Sequence, residues 1–121
     1  MNTAIIMLGS NTSPDENIEL AREMIANYFE IVAESSLLIS KAKGVYKSDF
    51  QNIALKILSD EHADETRLIF KQIEIDMGRK PDSKKEGLIP IDIDLIIWND
   101  TLVHDDYNRF DFVKICVDEI A

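Results

Sequence analysis

The segment from Ile91 to Ile97 alternates apolar and acidic side chains, and this pattern restricts how the chain can fold. Apolar residues occupy positions 91, 93, 95 and 97, and the acids Asp92 and Asp94 lie between them. Successive side chains of a β-strand point to opposite faces. The pattern therefore predicts a strand with one buried apolar face and with both carboxylates on the other face.

Two explanations fit this pair of acids. Aspartate is disfavoured in strands and adjacent carboxylates repel each other, so a divalent cation such as Mg²⁺ is one natural reason for the pair. The alternative is an edge strand whose charges discourage pairing with another molecule. The spacing alone favours neither explanation.

The chain is strongly acidic, which restricts its partners. Its 121 residues carry a formal net charge of −10, and 45% of them are hydrophobic, which is enough for one compact domain over residues 1–121. Nucleic acids and anionic membranes require a basic surface, so neither is expected as a partner. No long apolar stretch or signal-peptide pattern occurs, which predicts a cytoplasmic protein.

Hydrophobic periodicity predicts four strands and three helices. The strands cover residues 4–8, 31–40, 50–58 and 91–97, and the helices cover 14–29, 63–77 and a C-terminal segment that includes Phe112 and Ile120. This order predicts an α+β fold, the ferredoxin-like split βαβ sandwich. We expect a four-stranded antiparallel sheet with helices on one face, plus a C-terminal helix, and a free face for a site.

The loop from Arg79 to Pro90 leads into the acidic strand and carries an excess of positive charge. Cations beside paired carboxylates are typical of a triphosphate site, in which the acids hold Mg²⁺ and the cations neutralise the remaining phosphate oxygens. A solvated surface loop is the alternative. The cations are Arg79, Lys80, Lys84 and Lys85.

The two histidines show no metal-ligand spacing. His62 and His104 are far apart in the sequence, so we expect a helix-start residue and a surface-loop residue respectively.

Short motifs that point to one family occur in order along nearly the whole chain. They are Leu8-Gly9-Ser10-Asn11, Asn52, Ile73-Glu74, Gly78-Arg79, Asp92-Ile93-Asp94-Leu95, Phe112-Val113 and Glu119-Ile120. The ordered set resembles the 6-hydroxymethyl-7,8-dihydropterin pyrophosphokinase family of folate biosynthesis. The resemblance implies the ferredoxin-like fold and the transfer of a pyrophosphoryl group from ATP to the pterin hydroxymethyl group, with release of AMP.

The resemblance also implies roles for individual residues. Asp92 and Asp94 would be catalytic and would hold two Mg²⁺ ions, with ATP as co-substrate, and Arg79 would contact a transferring phosphate. Asn52 would read the amide edge of the pterin, and Phe50 and Phe112 would lie on the two faces of its ring. The implied nucleotide contacts are Glu74, Arg79, Lys84, Lys85 and Arg109.

Two departures from the family pattern affect the predicted activity. Glu86 and Ile89 stand where the family has a tryptophan and a second arginine. The segment from Leu102 to Asp111 is shorter than in the family, and His104 and Arg109 are its nearest counterparts to the family's histidine and arginine. Losing a guanidinium that meets transition-state charge slows a reaction. The alternative function is therefore an impaired relative that binds a nucleotide or a pterin without turnover.

Overall fold

The computed structural model describes all 121 residues and contains one open sheet with helices on both faces. The strands are β1 (Asn2–Ser10), β2 (Glu30–Glu34), β3 (Leu38–Ser40), β4 (Phe50–Ser59), β5 (Asp92–Trp98) and β6 (Thr101–Leu102). The helices are α1 (Pro14–Ala26), α2 (Ala63–Asp76), α3 (Ser83–Glu86), α4 (Asp106–Arg109) and α5 (Asp111–Ile120). None of these helices combines the length and apolar composition needed to cross a membrane.

The strands pair in the order β2-β4-β1-β5-β6, and β3 extends the sheet by pairing with β4. Every pairing is antiparallel. The apolar run Ala4–Leu8 lies in the centre of the sheet and is buried, as expected for a strand covered on both faces. The predicted α+β class with an antiparallel sheet is confirmed.

The sheet has six strands, whereas the sequence predicted four. Residues 31–40 were expected to form one strand, but Ser35 divides this segment into β2 and β3. The Ser35 hydroxyl accepts a hydrogen bond from the Ala54 amide at 2.8 Å, so a side chain replaces a ladder carbonyl at that point. The sixth strand, β6, follows a turn in which Asn99 and Asp100 have φ angles of 48° and 69°. Two consecutive positive φ values are typical of a tight hairpin turn.

The two faces of the sheet carry different helices. Helices α1 and α2 cover one face, where Ile6, Leu55 and Phe70 belong to the larger hydrophobic core. Helix α5 packs against the opposite face, where Val113, Cys116 and Val117 join Met7, Ala54 and Ile96 in a second core. The sequence predicted a free second face, and this was wrong for the part beneath α5. The rest of that face stays open.

Asn11, at the end of β1, connects two loops that border this open region. The residue is 3% exposed. Its Nδ2 donates to Gly87 O at 2.9 Å and to Ser48 O at 3.3 Å, and its Oδ1 accepts from the Ile89 amide at 2.6 Å. One buried amide therefore holds loop 41–49 against loop 79–91.

Substituting Asn11→Ala is expected to lower the free energy of unfolding by about 3 kcal/mol, because each buried group left without a partner costs roughly 1–3 kcal/mol. Urea denaturation monitored by circular dichroism measures this loss. The exposed Asn108 is a matched control, and Asn108→Ala should leave stability within about 0.5 kcal/mol. Equal stability of the two variants would contradict the connecting role.

Candidate active site

Asp92 and Asp94 project from the same face of β5, as the alternation predicted. Ile93 and Leu95 point the other way into the larger core. Strand β5 pairs with β1 from Asp92 to Trp98, but β6 pairs only with Ile97 and Trp98. No further strand therefore pairs with the outer edge of β5 beside the two acids.

Two cavities meet at the acid pair. The large cavity has a volume of about 680 Å³ and lies on the open part of the sheet beside α5. The small cavity has a volume of about 300 Å³ and lies between β5 and α2. Asp92 and Asp94 are the two residues that line both cavities. A group bound by the carboxylates can therefore contact a molecule in each cavity.

The large cavity contains the residues predicted to bind a pterin. Phe50, Asn52 and Phe112 all line it, although they come from β4 and α5. Tyr46 meets Phe50 edge to face with ring centroids 4.9 Å apart, and Phe110 stacks on Phe112 at 5.5 Å. Aromatic rings and one buried amide are suited to a flat ring with a polar edge.

The small cavity is dominated by Arg79. Its Nη1 donates to Asp92 Oδ1 at 2.8 Å, to Glu74 Oε2 at 3.2 Å and to the Ile91 carbonyl at 3.2 Å. All of these bonds come from Nη1, so Nη2 and Nε remain available to donate to a ligand. Burial works against the charge of Arg79, but the hydrogen bond and the charge of Asp92 raise the pKa of the guanidinium above its ordinary value.

Glu74 fixes the position of this arginine. The residue is 7% exposed, and Oε2 also accepts a hydrogen bond from the Ile93 amide at 2.8 Å. Burial raises the pKa of Glu74, while the Ile93 amide and Arg79 oppose the rise. One carboxylate thus connects α2, Arg79 and β5. Glu74 also lines the small cavity, together with Arg67 and Lys71 from the same helix.

His104 lies beside the acids, a position that the sequence did not reveal. Its Nε2 is 3.9 Å from Asp94 Oδ1, and its Nδ1 accepts a hydrogen bond from the Asp106 amide at 3.1 Å. Potential ligand atoms of Asp94, His104 and Asp106 all lie within 4.8 Å of one another. The histidine approaches Asp94 because the chain runs back along β5 from β6 onward: Ile97 pairs with Leu102, and the Val103 amide donates to the Ile96 carbonyl at 2.9 Å.

The remaining predicted residues are distributed differently. Arg109 lines the large cavity, where its guanidinium lies 5.2 Å from the centroid of the Phe110 ring. Lys84 and Lys85 are exposed on α3 and line neither cavity, so their nucleotide contacts stay predictions. Ile89 is 2% exposed, and its amide donates a hydrogen bond to Asn11 Oδ1. An isoleucine side chain offers no positive charge to the acids.

Comparison with known proteins identifies the family. The family model of 7,8-dihydro-6-hydroxymethylpterin-pyrophosphokinase (HPPK) matches residues 5–121. The chain belongs to the HPPK family. No curated protein matches it. Among solved structures, it is similar to the solution structure of the C-terminal domain of the MgtC protein from Mycobacterium tuberculosis, with 5% identity and a TM-score of 0.41 over 78% of this chain and 87% of that one. At that level the likeness bears on neither fold nor function.

The acid pair of this HPPK family member fits a divalent cation. Burial, followed by the charge of Asp92 and a hydrogen bond with it, raises the pKa of Asp94 to about 8. A proton shared between the two carboxylates relieves their repulsion, and a divalent cation bound by both would do so more fully. The carboxylate oxygens are the hard ligands that Mg²⁺ prefers.

The raised pKa of Asp94 predicts how metal-free stability depends on pH in this HPPK relative. Between about pH 4 and pH 8 the folded state retains the Asp94 proton and the unfolded state loses it, so stability falls as pH rises through this window. The substitution Asp94→Asn removes this titration. Urea denaturation in EDTA measures the free energy of unfolding of both proteins. The difference between variant and wild type should shift in favour of the variant by more than about 1 kcal/mol from pH 5 to pH 8. A constant difference would contradict the assignment.

Proposed function

We propose that this HPPK family member transfers the pyrophosphoryl group of ATP to the hydroxymethyl group of 6-hydroxymethyl-7,8-dihydropterin and releases AMP. This proposal depends on the position of Asp92 and Asp94, which line both cavities. A two-substrate transfer needs its donor and acceptor to meet at one point, and these carboxylates mark such a point. The order β2-β4-β1-β5 also supports the ferredoxin-like description that the family implies.

The acceptor would occupy the large cavity. Phe50 and Phe112 would contact the faces of the pterin ring, and Asn52 would hydrogen-bond its edge. Asn52 and Asp92 are the partners of Gly9 on either side of β1. A ring anchored at Asn52 would therefore direct its far end toward the acids. This arrangement orients the hydroxymethyl group without a charged contact to the ring.

The nucleotide would occupy the small cavity and extend its phosphates toward the acids. Arg79 has Nη2 and Nε to offer to phosphate oxygens while Nη1 stays on Asp92 and Glu74. Lys71 and Arg67 line the same cavity and add positive charge to its α2 side. Arg109, from the large cavity, would meet the transferring group from the opposite direction.

Asp92 and Asp94 would hold Mg²⁺, two ions by the family resemblance. Bound there, Mg²⁺ would neutralise phosphate charge and lower the pKa of the attacking hydroxyl. The chain's own contribution is orientation. Arg79 holds the Asp92 carboxylate in place, and Glu74 holds Arg79.

The test is the appearance of AMP. The protein is incubated with ATP, Mg²⁺ and 6-hydroxymethyl-7,8-dihydropterin, and nucleotides are separated by anion-exchange chromatography. The proposal expects AMP that accumulates only when the pterin is present. Magnesium-dependent binding of a non-hydrolysable ATP analogue without any AMP would instead support the binding-module alternative. The absence of both AMP and nucleotide binding would refute both functions.

A further inference from the structure

We propose that Tyr107, held through its hydroxyl by Lys114 and Asp118 of α5, places His104 and Arg109 for the transfer reaction. This inference rests on the proposed function and adds three positioning residues to it. Tyr107, Lys114 and Asp118 line neither cavity, so none of them would contact a substrate. Neither the sequence pattern nor the family resemblance assigned a role to them.

The segment 104–109 carries three side chains that face the proposed reaction centre. His104 lines the small cavity, with Nε2 at 3.9 Å from Asp94 Oδ1. Asp106 and Arg109 line the large cavity. The segment includes α4, which is a helix of four residues. Because so short a helix is not stable by itself, the position of these side chains depends on contacts with the rest of the protein.

Tyr107 makes all the hydrogen bonds between this segment and another helix or strand. The backbone hydrogen bonds of residues 104–109 close within the segment or on the adjoining Phe110. The Tyr107 hydroxyl, in contrast, reaches α5, where it donates to Asp118 Oδ1 at 2.6 Å and accepts from Lys114 Nζ at 3.0 Å. The orientation of the whole segment therefore depends on one side chain.

Lys114 and Asp118 hold the Tyr107 hydroxyl from positions one helical turn apart. Lys114 Nζ also pairs with Asp118 Oδ2 at 2.8 Å, so the three groups form a closed ring of contacts. The hydrogen bonds from Lys114 and Tyr107 lower the pKa of Asp118 below its ordinary value. The Tyr107 ring packs against the second core, which contains the buried face of α5. Ring and hydroxyl together thus fix α4 against a helix that is itself packed on the sheet.

The network is too exposed to contribute much to stability. The side chains of Lys114 and Asp118 are 55% and 47% exposed. Exposed ion pairs contribute little to the free energy of unfolding, because water and salt screen them. A group that meets the transferring phosphate must be placed far more accurately, since a displacement of about 1 Å can slow a reaction by about a hundredfold. We therefore expect the network to affect the reaction rate more than the stability.

The variant Tyr107→Phe removes the hydroxyl and keeps the packed ring. We expect kcat for AMP formation to fall at least about tenfold, with little change in the KM for ATP, because the displaced groups would act on the transferring phosphate. The melting temperature should fall by less than about 5 °C. Asp118→Ala should also lower kcat without unfolding α5, because an acid in the last turn of a helix opposes the helix dipole.

Ser36→Ala is the matched control. Like Tyr107, Ser36 has a hydroxyl that donates to a carboxylate of α5, in this case Glu119 Oε1 at 2.9 Å. Ser36 lies between β2 and β3 and lines neither cavity. We expect the control to keep the wild-type kcat. A loss of kcat as large as that of Tyr107→Phe would overturn the inference, because any contact of α5 would then have the same effect.

NMR relaxation measures the placement of α4 directly. Backbone amide order parameters of α4 should be close to about 0.85 in the wild type and in Ser36→Ala, and should fall toward about 0.6 in Tyr107→Phe. If Tyr107→Phe keeps either the order of α4 or the wild-type kcat, this inference is overturned and the proposed function stands. If the wild type releases no AMP, the proposed function fails and this inference falls with it.

Discussion

The substitution Asp94→Asn is expected to reduce AMP formation by at least about a thousandfold, because it removes one of two carboxylates that would hold Mg²⁺ at the reacting phosphates. Asparagine has nearly the same shape and cannot carry the negative charge. The variant should fold, since partial burial and the neighbouring Asp92 raise the pKa of Asp94, so that this half-buried position favours a neutral side chain. Initial rates of AMP release at saturating Mg²⁺ measure the effect.

Asp60→Asn is a suitable control for this prediction. Asp60 is an exposed acid that follows β4, at the end of the sheet where Ser59 pairs with Asn2. Its neutralisation changes the net charge as Asp94→Asn does, without touching either cavity. We expect wild-type rates for the control. An Asp94→Asn enzyme that retains more than about a tenth of the wild-type rate would show that the acid pair is not the reaction centre.

The substitution Arg79→Lys is expected to lower the rate of AMP formation by about a hundredfold, because lysine keeps the charge but loses the planar fork of donors. A lysine ammonium cannot contact Asp92 and Glu74 through one nitrogen while offering two others to phosphate. Position 89 supplies no replacement cation, because this chain has a buried isoleucine there. The loss should therefore be larger in kcat than in nucleotide affinity.

Arg67→Lys is the control for the arginine. Arg67 lines the same cavity but is partly exposed and pairs only with Asp64 on its own helix. Exposed pairs contribute roughly 0–1 kcal/mol, so we expect a change of less than about fivefold. Similar losses in both variants would contradict a specific role for the guanidinium fork of Arg79.

The spacing of apolar and polar residues predicted the strands and helices whose structure depends only on their own sequence. The alternation of β5 predicted which face carries Asp92 and Asp94, and helical spacing predicted α1 and α2 to within a few residues. The break at Ser35 was not predictable, since it depends on a hydrogen bond to Ala54 from a neighbouring strand. The position of α5 on the second face likewise depends on contacts with β1, β4 and β5.

The candidate site likewise has residues that the sequence indicated and contacts that depend on how separate elements pack. Phe50, Asn52 and Phe112, three residues that line the large cavity, were assigned to one site directly by the family resemblance. The sequence could not show that Glu74 holds Arg79, because that contact depends on how α2 docks beside β5. The approach of His104 to Asp94 was missed for a similar reason, since it depends on how far the chain after β6 continues to run alongside β5.

We expect Asp92 and Asp94 to bind Mg²⁺ where a nucleotide and a pterin meet. The decisive measurement is calorimetric titration of a non-hydrolysable ATP analogue into the wild type, with Mg²⁺ and then with EDTA. We expect binding with Mg²⁺ and at least about a hundredfold loss of affinity without it. Equal affinity in the two buffers, or equal affinity of Asp94→Asn with Mg²⁺, would contradict the claim.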